Sequence, residues 1–182
     1  FYPEVSPTRC TAALLLDIDP IRLVRGKNHR PAAGPLDQYV NDRPYVASSF
    51  LSVAISQVWG SALAGRSRER PALVSVPMAL VARLSVLPSR GGPALLHQLF
   101  EPLGYLVSTT RQPLDAEFPQ WGDSPYHTVC LQKVCVLSEL LTHLYVLVPV
   151  LDDFKHYWVG DAEVEKLLHK GEPWLSTHPH QE

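Results

Sequence analysis

Asp152, Asp153, Lys155, His156, Tyr157 and Trp158 crowd into one short stretch, LDDFKHYWVG (Leu151–Gly160). Adjacent carboxylates beside an imidazole can hold a divalent cation, but a Mg²⁺ site draws on further ligands or phosphates that this stretch does not supply. The same residues suit a second chemistry. Aromatic side chains next to Lys and Asp, on a loop after a helix, are the ingredients of a protein-binding anchor. The plain alternative is a helix-exit loop whose charges pair with one another. Asn41, Asp42, Arg43 and Tyr45, within YVNDRPY (Tyr39–Tyr45), have the same mixed character. Both stretches are assigned to partner binding, because nothing about a core requires them. Arg66, Arg68 and Arg70 form a short basic cluster that can touch RNA phosphates, or simply solvate a helix end.

Other chemistry-bearing residues read as structural. The chain has no GxGxxG, P-loop, GxSxG or HExxH pattern. The glycines of RGGPALL (from Arg90) can face a phosphate, but a strand-to-helix turn accounts for them equally simply. His178 and His180 in STHPHQE lack a second ligand pair and read as a solvated tail. His143 lies in an apolar helix, as a core histidine with one hydrogen bond. Cys130 and Cys135 fall on opposite faces of one strand as small buried hydrophobes. No catalytic residue, metal ligand or cofactor is assigned. A metal-dependent hydrolase built on Asp152, Asp153 and His156 is the least favoured alternative.

The elements that must position these residues follow from periodicity. RPYVASSFLSVAISQVWGSALAGR (Arg43–Arg66) carries no charge between its arginines, which is long enough to cross a bilayer. Its scattered serines and Gln57 argue instead for a buried helix. Ser48, Ser52, Ser56 and Gly60 make a small-residue ridge, and Ala47, Phe50, Leu51, Ala54, Ile55, Val58 and Ala62 a broad apolar face. Asn41 or Asp42 can cap this helix, Pro44 suits its first turn and Gly65 its end. Strands are expected at Thr11–Asp19, Met78–Pro88, Tyr105–Gln112 and Tyr126–Val136; Leu80, Ala82, Leu84 and Val86 share a face of the second, and Val129, Leu131 and Cys135 point inward from the last. Gly26–Pro35 reads as a loop. Further helices are expected at Gly91–Gly104, at Leu137–Asp153 (capped by Ser138 and kinked by Pro149), and at Asp161–Gly171, with Val164, Leu167 and Leu168 facing in. Gln112–Val129 reads as a long loop in which Phe118 and Trp121 anchor on the core and Asp115, Glu117 and Asp123 point outward. The fold class is α+β, a mixed sheet packed by several helices in a single compact domain spanning 1–182.

Composition sets outer bounds. The chain has 182 residues, 46% hydrophobic and 19% charged, enough to bury a core. A net charge of −2 argues against a nucleic-acid binder working by bulk charge. Cys10, Cys130 and Cys135 make no CxxC pair, so no disulfide framework is expected and the cytoplasm is the natural compartment. No signal peptide is visible, and a start at Phe1 reads as a fragment of something longer.

Four strings then become informative together: YVNDRPYVASSFLSVAISQVWGSALAGR, FEPLGY, FPQWGDSPY and LTHLYVLVPVLDDFKHYWVG. They resemble the N-terminal region of the bacterial RNA 3′-terminal ribose 2′-O-methyltransferases of the HEN type. The resemblance runs over nearly the whole chain. It implies a region that is not itself the methyltransferase, which would follow residue 182. It implies a partner, the bacterial polynucleotide kinase–phosphatase–ligase, whose ligase component the region activates during repair of RNA cut by ribotoxins; the missing domain would methylate the 3′ end. The chain lacks the glycine-rich donor turn and the Glu/His metal cluster that methyl transfer of this kind needs. The alternative from a different class is an RNA-binding module presenting the cleaved 3′ end.

Overall fold

The structure is a computed structural model that describes residues 1–17, 49–89, 91–151 and 161–180. Asn41, Asp42, Arg43 and Tyr45, the Asp152–Trp158 stretch, the loop at Gly26–Pro35 and the expected N-cap and first turn of the long helix lie outside the described residues.

A short N-terminal hairpin pairs β1 (Glu4–Val5) with β2 (Cys10–Thr11). Then come α1 (Ser49–Leu63), β3 (Met78–Pro88), α2 (Gly92–Phe100), β4 (Leu106–Pro113), β5 (Asp123–Cys135), α3 (Leu137–Val150) and α4 (Asp161–Leu175). The three longer strands form an antiparallel sheet ordered β3-β5-β4. Period-2 patterning on β5 sends His127, Val129, Leu131 and Cys135 to the buried face. α2 and α3 contribute Leu96, Leu99, Phe100, Leu140, Leu144 and Val148 to the same core. α1 packs along α3 through Leu51 and Ile55, and Ser52 donates to the Tyr145 carbonyl at 2.7 Å. The fold is therefore α+β. Of the expected small ridge, Ser52 alone among the described residues makes the close approach, its hydroxyl satisfied across the helix pair, whereas Ser56 is exposed and a Cβ on Gly60 would meet open space. Among the described residues no helix is long and apolar enough to cross a membrane.

Several local expectations are corrected. The apolar run after Thr11 is not a strand: Ala13 still pairs with Phe1 through both backbone groups (2.8 and 2.9 Å), but residues 14–17 form no ladder, Leu15 is exposed, and Leu14 and Leu16 lean on the core. On α1, Val58 is exposed, because the helix kinks at Trp59 (φ −119°, ψ 25°) and the buried stripe passes to Trp59, Ala62 and Leu63. On β3 a bulge after Leu84 puts Val86 outward at φ +63° and returns Leu87 to the core. Ser138 does not cap α3. β5 runs into the helix with only Val136 between them, and the Val136 carbonyl accepts the first helical bonds. The helix ends at Val150, one residue past Pro149.

Two corrections matter for function. α4 does not stop at Gly171. It runs to Leu175, with Val164 and Leu168 exposed and an inward stripe of Leu167, Gly171 and Trp174 that continues to His178 beyond the helix. Half of the expected loop at 112–129 is strand: β4 and β5 close into a hairpin around residues 114–122. At that tip Phe118 and Trp121 do not anchor on the core but stack on each other in solvent.

Candidate interaction surface

α1 ends where Gly65 adopts φ +61°, and the chain turns into the arginine cluster. The backbone there is held locally: Arg66 N–H donates to the Ser61 carbonyl (2.8 Å) and Arg70 N–H to Ser67 Oγ (3.1 Å). Arg66, Arg68 and Arg70 are all exposed, as the sequence suggested. They border a cleft of about 440 Å³ whose apolar side is Val58, Trp59 and Met78, with Glu69 between the arginines. Guanidinium groups beside an apolar wall suit a phosphate or carboxylate carried by a larger ring or chain.

A second cleft, about 690 Å³, opens between the end of α1, the start of α3 and α4. Its lining includes His143 and Trp174, with Glu139, His169 and Lys170 also facing it. His143 and Trp174 belong to a chain of polar rings. Tyr105 Oη lies 2.8 Å from His143 Nδ1. The His143 imidazole meets Trp174 edge-on at 4.7 Å, and Trp174 meets His178 at 6.3 Å. His178 Nε2 donates to the Leu99 carbonyl at 2.9 Å, and its Nδ1 accepts from the His180 amide at 3.2 Å. His178 is only 1% exposed. The solvated-tail reading is thus overturned, because Leu99 lies in the last turn of α2, where carbonyls lack helical partners, and the imidazole supplies the missing donor. The sequence signal was the stripe at 167, 171, 174 and 178, which continues past the glycine taken as a stop.

Electrostatics make this cluster a poor catalyst. Burial drives the His143 pKa from its usual 6.5 down to about 4, so the ring is neutral. Burial, then the charges of Cys135 and Glu139, holds the Tyr105 hydroxyl well above its ordinary value. That hydroxyl therefore donates, Nδ1 of His143 accepts, and the imidazole proton sits on Nε2. Burial likewise raises the Cys135 thiol and keeps it from being a nucleophile. Lys133, from β5, ties the cluster's edge by donating to Glu139 and to the Leu103 carbonyl, and its ammonium lies 5.2 Å from the Tyr105 ring centre. Among the described residues no group of three His, Cys, Asp or Glu side chains is placed to hold a metal. The reading of His143 as a core histidine with one hydrogen bond agrees with this geometry. The glycines before α2 make an ordinary turn: a Cβ at Gly91 would come within 2.6 Å of Leu95 Cβ, and Ser89 Oγ closes the turn on the Gly92 carbonyl.

The described surface thus offers clefts and exposed side chains rather than an assembled reaction centre. Comparison with protein families gives a match over residues 1–182 to the RNA repair, ligase-Pnkp-associating region of Hen1, and the chain belongs to that family. No curated protein matches it.

Proposed function

We propose that this region of Hen1 binds the ligase-bearing Pnkp and switches on its RNA ligase, working as a non-catalytic module without a cofactor of its own. The family match over the whole chain carries the reading. It makes association with Pnkp in RNA repair the family's role, and activation of the ligase is a consequence we propose for that association. A bound module activates an enzyme by favouring its productive conformation, to the extent that it binds that state more tightly. The setting is bacterial cytoplasm, with 2′-O-methylation of the repaired 3′ end supplied by a methyltransferase domain of the same protein beyond residue 182. The aromatic and charged stretches at 41–45 and 152–158 are candidate contacts.

The test mixes purified chain with Pnkp and follows both co-elution and sealing of a nicked RNA. Co-elution with faster sealing supports the reading. Co-elution with unchanged sealing overturns activation, and the absence of a complex overturns association. A second reading, direct RNA contact, rests on the exposed Arg66, Arg68 and Arg70 beside their cleft. It requires salt-sensitive binding of isolated RNA that falls when the three arginines become alanine.

A further inference from the structure

The tip of the β4–β5 hairpin presents apolar rings that the core does not use. Phe118 and Trp121 stack with centroids 4.7 Å apart and planes 15° from parallel. They are 41% and 58% exposed, and Leu114 beside them is 56% exposed. Their placement is fixed by the turn itself. Asp115 Oδ1 accepts the amides of Glu117 (2.7 Å) and Phe118 (3.2 Å). Leu114 N–H donates to the Gly122 carbonyl at 2.8 Å, and the 3-10 turn Pro119–Trp121 is closed by Trp121 N–H to Phe118 and Gly122 N–H to Pro119, each 3.0 Å. A rigid pair of this kind loses little conformational freedom on binding, as an interface anchor requires.

Charge selects the occupant. The chain has no Lys or Arg from Gln112 to Gln132, while Asp115, Glu117 and Asp123 flank the two aromatic residues in sequence. Arg111, the first cation before this stretch in sequence, spends its Nε–H on the Ser124 carbonyl within the hairpin at 2.9 Å. Stacked rings alone would suit RNA bases, but RNA platforms pair their aromatics with cations, and three carboxylates repel phosphates. They attract a basic protein surface instead.

We propose that this tip is a docking element for the Pnkp polypeptide, inserting Phe118 and Trp121 into an apolar pocket rimmed by Lys or Arg. The proposal rests on the association reading above and assigns it a surface. The test uses the full chain and intact Pnkp. Phe118→Ala with Trp121→Ala weakens binding at least tenfold while the melting temperature stays that of the parent. Glu117→Lys with Asp123→Lys also weakens binding, more at low salt than at high salt. If the parent binds and both double variants bind equally well, the tip is not the contact, although association stands. If the parent fails to bind, the association reading falls and takes the tip with it. A short single-stranded RNA that binds the parent and is lost with the alanine pair overturns the protein occupant.

Discussion

The tail after α4 and the tip between β4 and β5 each place ring side chains just outside a regular element, and they treat them in opposite ways. The tail hides a polar ring, His178, and the tip leaves two apolar rings in water. Hydrophobicity alone would order them the other way. What differs is the accounting of polar atoms. The end of α2 leaves the Leu99 carbonyl needing a donor, and His178 fills that vacancy while Trp174 covers it. The tip pairs several of its own backbone groups through Asp115 and Gly122, and residues 116–122 are exposed, so the remaining groups can reach water without a partner in the core. Burial here follows where the backbone leaves hydrogen bonds unmade.

The widest separation of the two regions is a pair of tryptophan deletions. Trp174→Ala removes the ring wedged between His143 and His178 and is expected to cost about 3 kcal/mol, or roughly 6–12 °C in melting temperature. Trp121→Ala, at the exposed tip, is expected to stay within about 0.5 kcal/mol of the parent. Thermal melts of both variants decide it. Equal losses would mean that the tip is part of the folded core, and the contrast would be gone.

A pH series probes the buried side of the comparison. His143 in the folded chain titrates near 4, below its ordinary 6.5, so as pH falls the unfolded chain takes up the proton first. Stability from this group is therefore intact above about pH 6.5, declines between there and about pH 4, and levels off below; the full loss is roughly 3 kcal/mol. His127, lowered by burial and then by Arg111, acts in the same direction. Urea midpoints at several pH values, compared between the parent and His143→Gln, isolate the slope. A parent and variant with parallel profiles would show that His143 protonates freely in the folded chain.

Much of the architecture was legible because period and punctuation agreed. β3, β4, β5 and the inward set Val129, Leu131 and Cys135 follow alternation, and Gly65 and Gly104 end their helical turns with positive φ. The misreadings share a cause. Gly171 resembles a stop, but its backbone is buried, where an added Cβ would lie 3.2 Å from Leu175, so the glycine serves packing within a continuing helix. Phe118 and Trp121 resemble core anchors because nothing local reveals that the flanking strands pair and lift them off the sheet. His178 needs the α2 terminus beside it, a partner 79 residues away in sequence. Of the site residues, only Arg66, Arg68 and Arg70 fall among the described residues, and they are exposed as expected.

A smaller effect sharpens the tip. Asp115→Ala removes the acceptor of two backbone amides and is expected to cost about 1 kcal/mol, confined to the turn. Hydrogen exchange should accelerate at Glu117 and Phe118 while the β5 amides keep their protection. Acceleration throughout β5 would show that the tip and sheet open together, against the idea of a self-contained turn.

The smallest expected change has the opposite sign. Val86 sits on the β3 bulge at φ +63°, where a β-branched side chain crowds its own backbone, and it is 52% exposed. Gly122, at the tip, has φ +84° and carries no side chain to crowd. Backbone of the same hand is thus strained in one place and relaxed in the other. Val86→Gly removes the crowding but loosens the unfolded chain and gives up some half-buried surface, so the net gain is about 0.5 kcal/mol. Gly122→Ala meets no neighbouring atom yet is forced to hold φ +84° with ψ −163°, a conformation essentially reserved for glycine, and should lose about 1 kcal/mol. Denaturant midpoints measured on both variants read the two signs directly. If Val86→Gly lowers stability, the valine side chain holds the bulge open by its contacts, and the conformation is not a strain imposed by the pairing of Leu84 and Leu87 with β5.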